Sequence, residues 1–186
     1  MSPLWGRAGV TERTIRIFIG DMNTMAKVFL ICGKICSGKS TYARELAKTH
    51  NAVILSADEI MLAIFGQDAG ENHDLYMKKL QKHLYQKSLE IAASDINVIL
   101  DFGFWTKQER KAIREFFRAE NISFELHYLN ITHSEWKKRL AKRNTEILQK
   151  RSNAYFVDEE LEKKCEKLFE QPEREEIDVW IEAGIS

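Results

Sequence analysis

The feature that most constrains the fold is a glycine-rich loop of fixed spacing between two regular elements. Residues 33–40 read Gly-Lys-Ile-Cys-Ser-Gly-Lys-Ser, a complete G-x-x-x-x-G-K-[ST] pattern. The apolar run Val28 to Cys32 precedes it, and a helical pattern over Lys39 to His50 follows it. Glycines let such a loop wrap with its amides pointing inward, and the helix adds a positive N-terminus. The arrangement therefore predicts a phosphate-binding loop.

Each residue type in this pattern has a chemical reason. Lys39 is expected to reach the β- and γ-phosphates of a nucleotide, and Ser40 to hold Mg²⁺. The motif thus predicts nucleotide binding, with ATP and Mg²⁺ as the expected cofactors, but leaves open whether the γ-phosphate goes to water or to a substrate. The other residues expected to contact the nucleotide from this loop are Gly33, Lys34, Cys36, Ser37, Gly38 and Thr41.

Strands and helices alternate along the rest of the chain. The hydrophobic periodicity predicts strands at 28–32, 52–55, 97–100 and 122–129, and a closing edge strand through Ile177, Val179 and Ile181. Predicted helices cover 39–50, 58–65, a long segment ending near 94, two segments that open at the capping boxes of Thr106 and Thr132, and 158–169. This rhythm predicts an α/β domain in which helices cover both faces of a parallel sheet.

Length and composition agree with one globular domain. The chain has 186 residues, 44% hydrophobic and 30% charged, with two prolines and nine glycines. No apolar run approaches the roughly 20 residues of a membrane helix, so no membrane partner is expected. We expect the compact domain to occupy residues 26–186, and residues 1–25 to form an N-terminal extension outside it.

The cysteines and the charges limit the compartment and the partners. Cys32, Cys36 and Cys165 are odd in number and lack C-x-x-C spacing, which argues against a disulfide framework and a structural metal and favours a cytoplasmic location. Basic and acidic residues number 28 each, so the net charge is zero. A chain of zero net charge lacks the global electrostatic footprint of a non-specific nucleic-acid binder.

Two aspartates follow predicted strands and are candidates for phosphoryl-transfer chemistry. Asp58 follows the second strand and Asp101 the third, so both should emerge at the carboxyl edge of the sheet beside the loop. Asp58 is the candidate base for an acceptor hydroxyl, and Asp101 the candidate holder of the metal. The alternative for each is a turn or N-cap aspartate, although Ser56 offers another cap for the helix at Asp58.

The Asp101-Phe102-Gly103 triplet also spells the metal motif of protein kinases. No H-R-D-x-x-x-x-N loop lies upstream of it, and the phosphate loop is not the kinase G-x-G-x-x-G. The eukaryotic protein-kinase interpretation is therefore rejected.

A basic segment lies in the helix predicted to begin at Thr132. Residues 137–143 carry five cations and no acid, whereas 158–178 is predominantly acidic. Arg139 and Arg143 are one helical turn apart and share a face, so both are candidates for a lid over the phosphates, with Arg143 also a candidate catalytic residue beside Lys39 and Asp58. The alternative for both arginines is a solvated basic face.

These blocks together resemble the bacterial P-loop kinase-like family of AAA-type ATPases, which is related to polynucleotide kinase, zeta-toxin and chloramphenicol phosphotransferase domains. The resemblance covers roughly residues 27–181, through GKICSGKST, LSADEI, VILDFGFWTKQER, the YLN-to-KRLAKRN stretch and YFVDEELEKKCEKLFEQPEREE. It implies a nucleoside-kinase-like P-loop NTPase sandwich of three layers, with five parallel strands and the first strand central.

The resemblance also implies roles for particular residues. Asp58 would activate the acceptor, Arg139 and Arg143 would form the lid, and Trp105 and Arg110 would shape the acceptor side. Relatives that phosphorylate polynucleotides carry an arginine three residues after the aspartate, where this chain has Met61. This departure favours a small-molecule acceptor.

The sequence therefore predicts an ATP-dependent phosphotransferase that moves the γ-phosphate to a hydroxyl of a small molecule. The alternative acceptor is the 5′-hydroxyl of a nucleotide or polynucleotide. A second function class is an ATPase switch that regulates a partner protein, and a third is a homologue that binds nucleotide without catalysis. A kinase requires an acceptor pocket, for which Trp105, Phe104 and Tyr76 are candidates, with core packing of Phe102 and Phe104 as the alternative.

Overall fold

A parallel sheet of five strands forms the centre of the computed structural model, which describes residues 25–152 and 154–184. The strand order is β2-β3-β1-β4-β5, and every neighbouring pair is parallel. The strands are β1 (Lys27–Cys32), β2 (Ala52–Leu55), β3 (Asn97–Gly103), β4 (Ser123–Asn130) and β5 (Val179–Glu182). The predicted parallel sheet with a central first strand is confirmed, whereas the expectation for residues 1–24 falls outside the described residues.

Six α-helices connect or follow these strands within the described residues. They are α1 (Lys39–His50), α2 (Ala57–Phe65), α3 (His73–Ala92), α4 (Lys107–Ala119), α5 (His133–Leu148) and α6 (Glu159–Leu168). Short 3₁₀ turns lie at Gly70–Asn72 and Arg174–Glu176. None of the helices in the described ranges is long and apolar enough to cross a membrane.

Local capping explains where several helices begin. The side chains of Ser56, Thr106, Thr132 and Asp158 each accept a hydrogen bond from the backbone N–H three residues later. At Thr106 the bond is reciprocal, since Glu109 also accepts from the Thr106 N–H at 3.0 Å. Such caps satisfy N–H groups that lack a partner inside the helix. The predicted caps at Ser56, Thr106 and Thr132 are therefore confirmed.

The central strand buries both of its faces, as a strand covered by helices on each side must. Val28, Leu30 and Cys32 pack into one core with residues of α3 and α4, including Ile113 and Phe117. Phe29 and Ile31 point the other way, into a second core with Ala43 and Leu46 of α1. The sheet thus forms the middle layer of a three-layer α/β sandwich.

Strand β3 is longer than the predicted segment 97–100, and Asp101 lies inside it rather than after it. Leu30 pairs with Leu100, but Cys32 pairs with Gly103, so β3 has one extra residue opposite β1. This irregularity is a β-bulge, which bends a strand locally and re-aims its side chains. Hydrophobic periodicity did not reveal the bulge, because the bulge depends on how β3 pairs with β1 and not on a local residue pattern.

Replacing Leu30 by alanine is expected to lower the free energy of unfolding by about 2–5 kcal/mol, because the side chain is fully buried in the central strand. The matched control is Leu148→Ala, since Leu148 keeps 74% of its surface exposed and should change stability by less than about 0.5 kcal/mol. Urea unfolding followed by circular dichroism measures both. Equal losses in the two variants would contradict the assigned core.

Candidate active site

The loop between β1 and α1 is shaped by hydrogen bonds to its carbonyl groups. Lys39 Nζ donates to the carbonyls of Gly33 at 3.0 Å and Lys34 at 2.7 Å. The indole Nε1 of Trp136 donates to the Ile35 carbonyl at 2.8 Å, and Arg139 Nη1 to the Ser37 carbonyl at 2.9 Å. The Thr41 amide donates to the Gly38 carbonyl at 3.1 Å, whereas the amides of Lys39 and Ser40 at the start of α1 remain for an anion.

Two glycines are required by this loop for different reasons. A Cβ at Gly33 would lie 2.8 Å from Ser37 Oγ and 3.1 Å from the Leu129 carbonyl, so no larger residue fits. Gly38 has φ +101°, a left-handed conformation that other residues rarely adopt. The hydroxyl of Ser37 is buried and has no hydrogen-bond partner among the described residues. An unpartnered hydroxyl inside a loop of this shape fits a phosphate oxygen as its partner.

Arg139 and Arg143 both lie against the loop from one face of α5, as their spacing predicts. The Nε of Arg139 donates to Glu135 at 2.7 Å, in addition to its bond with the loop. Arg143 Nη1 contacts Cys36 Sγ at 3.4 Å, and its buried Nε has no partner within the described residues. The geometry brings both cations to the phosphate loop. Their contact with bound phosphate remains a prediction.

Ser40 and Asp101 meet at the metal position that the sequence predicts. The Ser40 hydroxyl donates to Asp101 Oδ2 at 2.7 Å, and Asp101 keeps 6% of its surface exposed. A hydroxyl beside a carboxylate is a set of hard oxygen donors that suits Mg²⁺, which is commonly bound by one or two carboxylates together with substrate phosphates and water. In the described part of the chain, no group of three or more His, Cys, Asp or Glu side chains could hold a metal. The two oxygen donors fit the predicted Mg²⁺ position.

Asp58 lies in the first turn of α2, where Ser56 provides the cap and leaves the Asp58 carboxylate available. Burial disfavours the charged carboxylate and so raises the pKa of Asp58 above its ordinary value. The negative charge of Asp101 adds to the rise. Lys39, Arg143 and His73 oppose it. The residue is also open to solvent on one side, so water limits the rise. Asp58 thus shares one electrostatic environment with the predicted catalytic residues Lys39 and Arg143.

The acceptor-side residues differ from expectation. Phe104 is buried in the core, with 3% of its surface exposed, and packs against Phe102, so the core-packing alternative holds for both. Tyr76 stacks on Phe65 with ring centroids 5.3 Å apart, at the outer surface. Phe104 therefore lines no acceptor pocket. Its φ of 44° and the φ of 89° at Gly103 turn the chain sharply after β3.

Arg110 is a structural residue rather than a direct acceptor contact. Its Nη1 lies within 3.3 Å of the carbonyls of Phe104, Trp105 and Glu170, and Nη2 lies 3.1 Å from Glu176. Only 1% of its surface is exposed. Arg110 therefore joins the turn after β3 to the C-terminal segment. The predicted acceptor-side roles of Arg110 and Trp105 remain predictions.

Sequence reasoning missed the role of Trp136. Its indole is fully buried, bonds the loop carbonyl of Ile35 and lies under the ammonium of Lys34, 5.0 Å from the ring centroid. The available signal was its position one turn before Arg139, on the same face of α5 as that arginine. Without the fold, an aromatic residue at that position is read as ordinary core.

Comparison with known proteins places the chain in a family. The sequence model of the AAA domain family matches residues 28–172, and the chain belongs to that family. This agrees with the resemblance drawn from the motifs. A search of curated proteins finds no match to the chain.

Solved structures of kinases share the fold. The APS kinase of Mycobacterium tuberculosis, in complex with AMPPNP and APS, is 15% identical with a TM-score of 0.61, covering 87% of this chain and 91% of that one. A gluconokinase of Sinorhizobium meliloti is 15% identical with a TM-score of 0.59, covering 88% and 86%. The Pnkp1/Rnl/Hen1 RNA repair complex matches at 21% identity and a TM-score of 0.57, covering 80% of this chain and 46% of that one. The fold is that of a P-loop kinase.

Replacing Arg110 by methionine is expected to lower the free energy of unfolding by about 3 kcal/mol, because it removes the buried guanidinium that pairs with Glu176 and donates to three carbonyls. The control is Lys111→Met at the next position, where the side chain is 76% exposed and the change should stay within about 0.5 kcal/mol. Chemical unfolding of both variants checks this. A loss below 1 kcal/mol for Arg110→Met would contradict the structural role of Arg110.

Proposed function

We propose that the protein is an ATP- and Mg²⁺-dependent phosphotransferase that moves the γ-phosphate of ATP to a hydroxyl of a small molecule. The observation that carries the proposal is the joint placement of five side chains at one end of the sheet. Lys39 crosses the loop, Ser40 bonds Asp101, and Asp58 lies near enough for Lys39, Asp101 and Arg143 to act on its pKa. Phosphoryl transfer requires this combination of cations, metal ligands and a base.

The donor half of the reaction rests on the loop. Its amides and Lys39 would bind the β- and γ-phosphates, with Gly33, Lys34, Cys36, Ser37 and Gly38 supplying the cradle. A cavity of about 250 Å³ beside the loop, lined in part by Thr41 and Arg139, offers room for the nucleoside end. Ser40 and Asp101 would hold Mg²⁺, which when bound neutralises charge on the phosphates. Cations around the loop thus provide local positive charge although the whole chain is neutral.

The acceptor half rests on Asp58. Its carboxylate would accept the proton of the acceptor hydroxyl as the oxygen forms a bond to the γ-phosphorus and the bond to the β-phosphate oxygen breaks, releasing ADP. Burial raises the pKa of Asp58, which makes its carboxylate a stronger base than an ordinary aspartate. Arg143 would stabilise the negative charge on the transferring group.

A small acceptor is favoured over a polynucleotide by the residue at position 61. Met61 is buried, with 1% of its surface exposed, so this position presents no cation to an incoming phosphate. Arg110 does not substitute, since its guanidinium is engaged by carbonyls and Glu176. Lys107 is engaged by Glu173 at 2.9 Å. The kinases of known structure that act on small molecules support the same preference.

The test of the function is the destination of the label from γ-labelled ATP. The protein is incubated with pooled metabolites, antibiotics and 5′-hydroxyl RNA and DNA, and products are separated by chromatography. We expect label in a small hydroxylated compound, and none with Lys39→Ala, which removes the ammonium that spans the loop. Label in free phosphate alone would favour the ATPase switch, and label in RNA or DNA would favour a polynucleotide acceptor.

Changing Asp58 to asparagine is expected to leave ATP binding within about threefold of the wild type and to lower kcat for transfer by 10²-fold or more, because an amide cannot accept the proton. The matched control is Glu59→Gln, an exposed carboxylate in the same helical turn, which should retain normal transfer. Isothermal titration and initial rates give the two quantities. Normal transfer by Asp58→Asn would refute the base assignment.

A further inference from the structure

The side chain of Lys34 is held by two aromatic rings. Its ammonium lies 5.0 Å from the ring centroid of Trp136 and 5.5 Å from that of Phe169. The negative face of an aromatic ring attracts a cation within about 6 Å of the centroid, and both contacts fall inside that range. Among the residues that the structure describes, Lys34 forms no ion pair. The two rings therefore form a cation–π clamp on Lys34.

The backbone of Lys34 lies at the centre of the phosphate loop. Its carbonyl accepts from Lys39 Nζ at 2.7 Å and from the Ser37 N–H at 3.2 Å. The next carbonyl, that of Ile35, accepts from the Trp136 indole at 2.8 Å. Trp136 thus contacts both the side chain of Lys34 and the backbone beside it. Because the side chain and the carbonyl belong to one residue, the clamp restrains the same carbonyls that give the loop its shape.

The second ring of the clamp comes from the C-terminal part of the chain. Phe169 directly follows α6, and its N–H donates to the Cys165 carbonyl at 3.1 Å. Its ring stacks on Tyr128 of β4, with centroids 6.3 Å apart and an interplanar angle of 21°. The next residue, Glu170, donates its N–H to the Trp105 carbonyl at 2.9 Å. Phe169 is therefore fixed by α6, by the sheet and by the turn after β3, so it offers the ammonium a preorganised ring.

We propose that Phe169 is a positioning residue for nucleotide binding, which acts through the Lys34 ammonium to hold the phosphate loop in its binding shape. This inference rests on the proposed function and extends the donor site to the segment after α6. A loop that already has its binding shape loses less conformational entropy when phosphates enter, so affinity rises without a new contact to the ligand. Because the clamp acts on the loop and not on one phosphate, ADP and ATP should depend on it equally.

The test changes the electron density of the Phe169 ring while keeping the shape of the ring. Phe169 is replaced by phenylalanines that carry one, two and three fluorines, which progressively weaken the negative face of the ring. Affinities for ADP and for ATP, each with Mg²⁺, are measured by isothermal titration. We expect each fluorine to weaken both affinities by about 1.5-fold, which gives about 3-fold for the trifluorinated ring. A residue that only fills space would give a flat series.

The same series in a Lys34→Met background identifies the partner of the ring. Methionine retains an unbranched side chain but removes the charge, so fluorination of Phe169 should no longer change the affinity. A series as steep in Lys34→Met as in the wild type would overturn the inference, because the ring would then act on another group. The matched control is fluorination of Phe116, a half-buried ring that packs on Tyr85 and Phe117 and should leave nucleotide affinity unchanged.

The outcomes separate this inference from the proposed function. A flat series at Phe169, in a protein that binds ADP and transfers phosphate from ATP, would overturn the inference and leave the proposed function standing. A loss of affinity confined to ATP would also overturn it, because Lys34 would then act on the γ-phosphate and not on the loop. A wild-type protein that binds neither nucleotide would overturn both.

Discussion

The site depends on how the carbonyl groups of the phosphate loop are held. A backbone that wraps around an anion must turn its carbonyls outward, and outward carbonyls require donors. Three side chains supply these donors: Lys39 of the loop motif itself, and Trp136 and Arg139 of α5. The Gly33 N–H closes the loop against β3 by donating to the Gly103 carbonyl at 3.0 Å. Helix α5 is therefore as much a part of the phosphate site as the glycine-rich motif itself.

The strand order brings the remaining chemistry to the same place. Because β1 lies between β3 and β4, the loop that follows β1 is flanked by Asp101 of β3 on one side and by the start of α5 on the other. Strand β2 lies beyond β3 and delivers Asp58 at its carboxyl end. Parallel strands place all these ends at one edge of the sheet. The fold thus brings the predicted donor and acceptor groups to one edge of the sheet.

The sequence predicts the parts of this architecture that depend on local chemistry. The loop motif, the caps at Ser56 and Thr106 and the alternation of strands and helices are each encoded within a few residues, and the structure has them where expected. The bulge in β3 depends on its pairing with β1, so neighbouring residues do not reveal it. The same holds for Arg110, which reads as an exposed helical cation until the C-terminal segment closes over it.

Contacts between distant connections show the same limit more strongly. The Phe156 N–H donates to Gln67 Oε1, a residue 89 positions earlier in the chain. No pattern in a single sequence links an amide in one connection to a backbone N–H in another. Aromatic residues next to the Asp101 strand were the natural candidates for a pocket, but Phe104 is drawn into the core by its contacts with Phe102 and the sheet. Nonlocal packing thus decides which aromatic residues remain available to a substrate.

The central position of β1 also governs the order in which the molecule can assemble. Val28 pairs with Val98 and with Phe124, so β1 is synthesised well before both of the strands with which it pairs. Until then its apolar residues have no sheet to join. Pairings this distant in sequence make folding slow relative to a helical protein of equal size. The nascent chain would therefore expose an aggregation-prone strand for most of its synthesis, a period in which a chaperone has the greatest effect on yield.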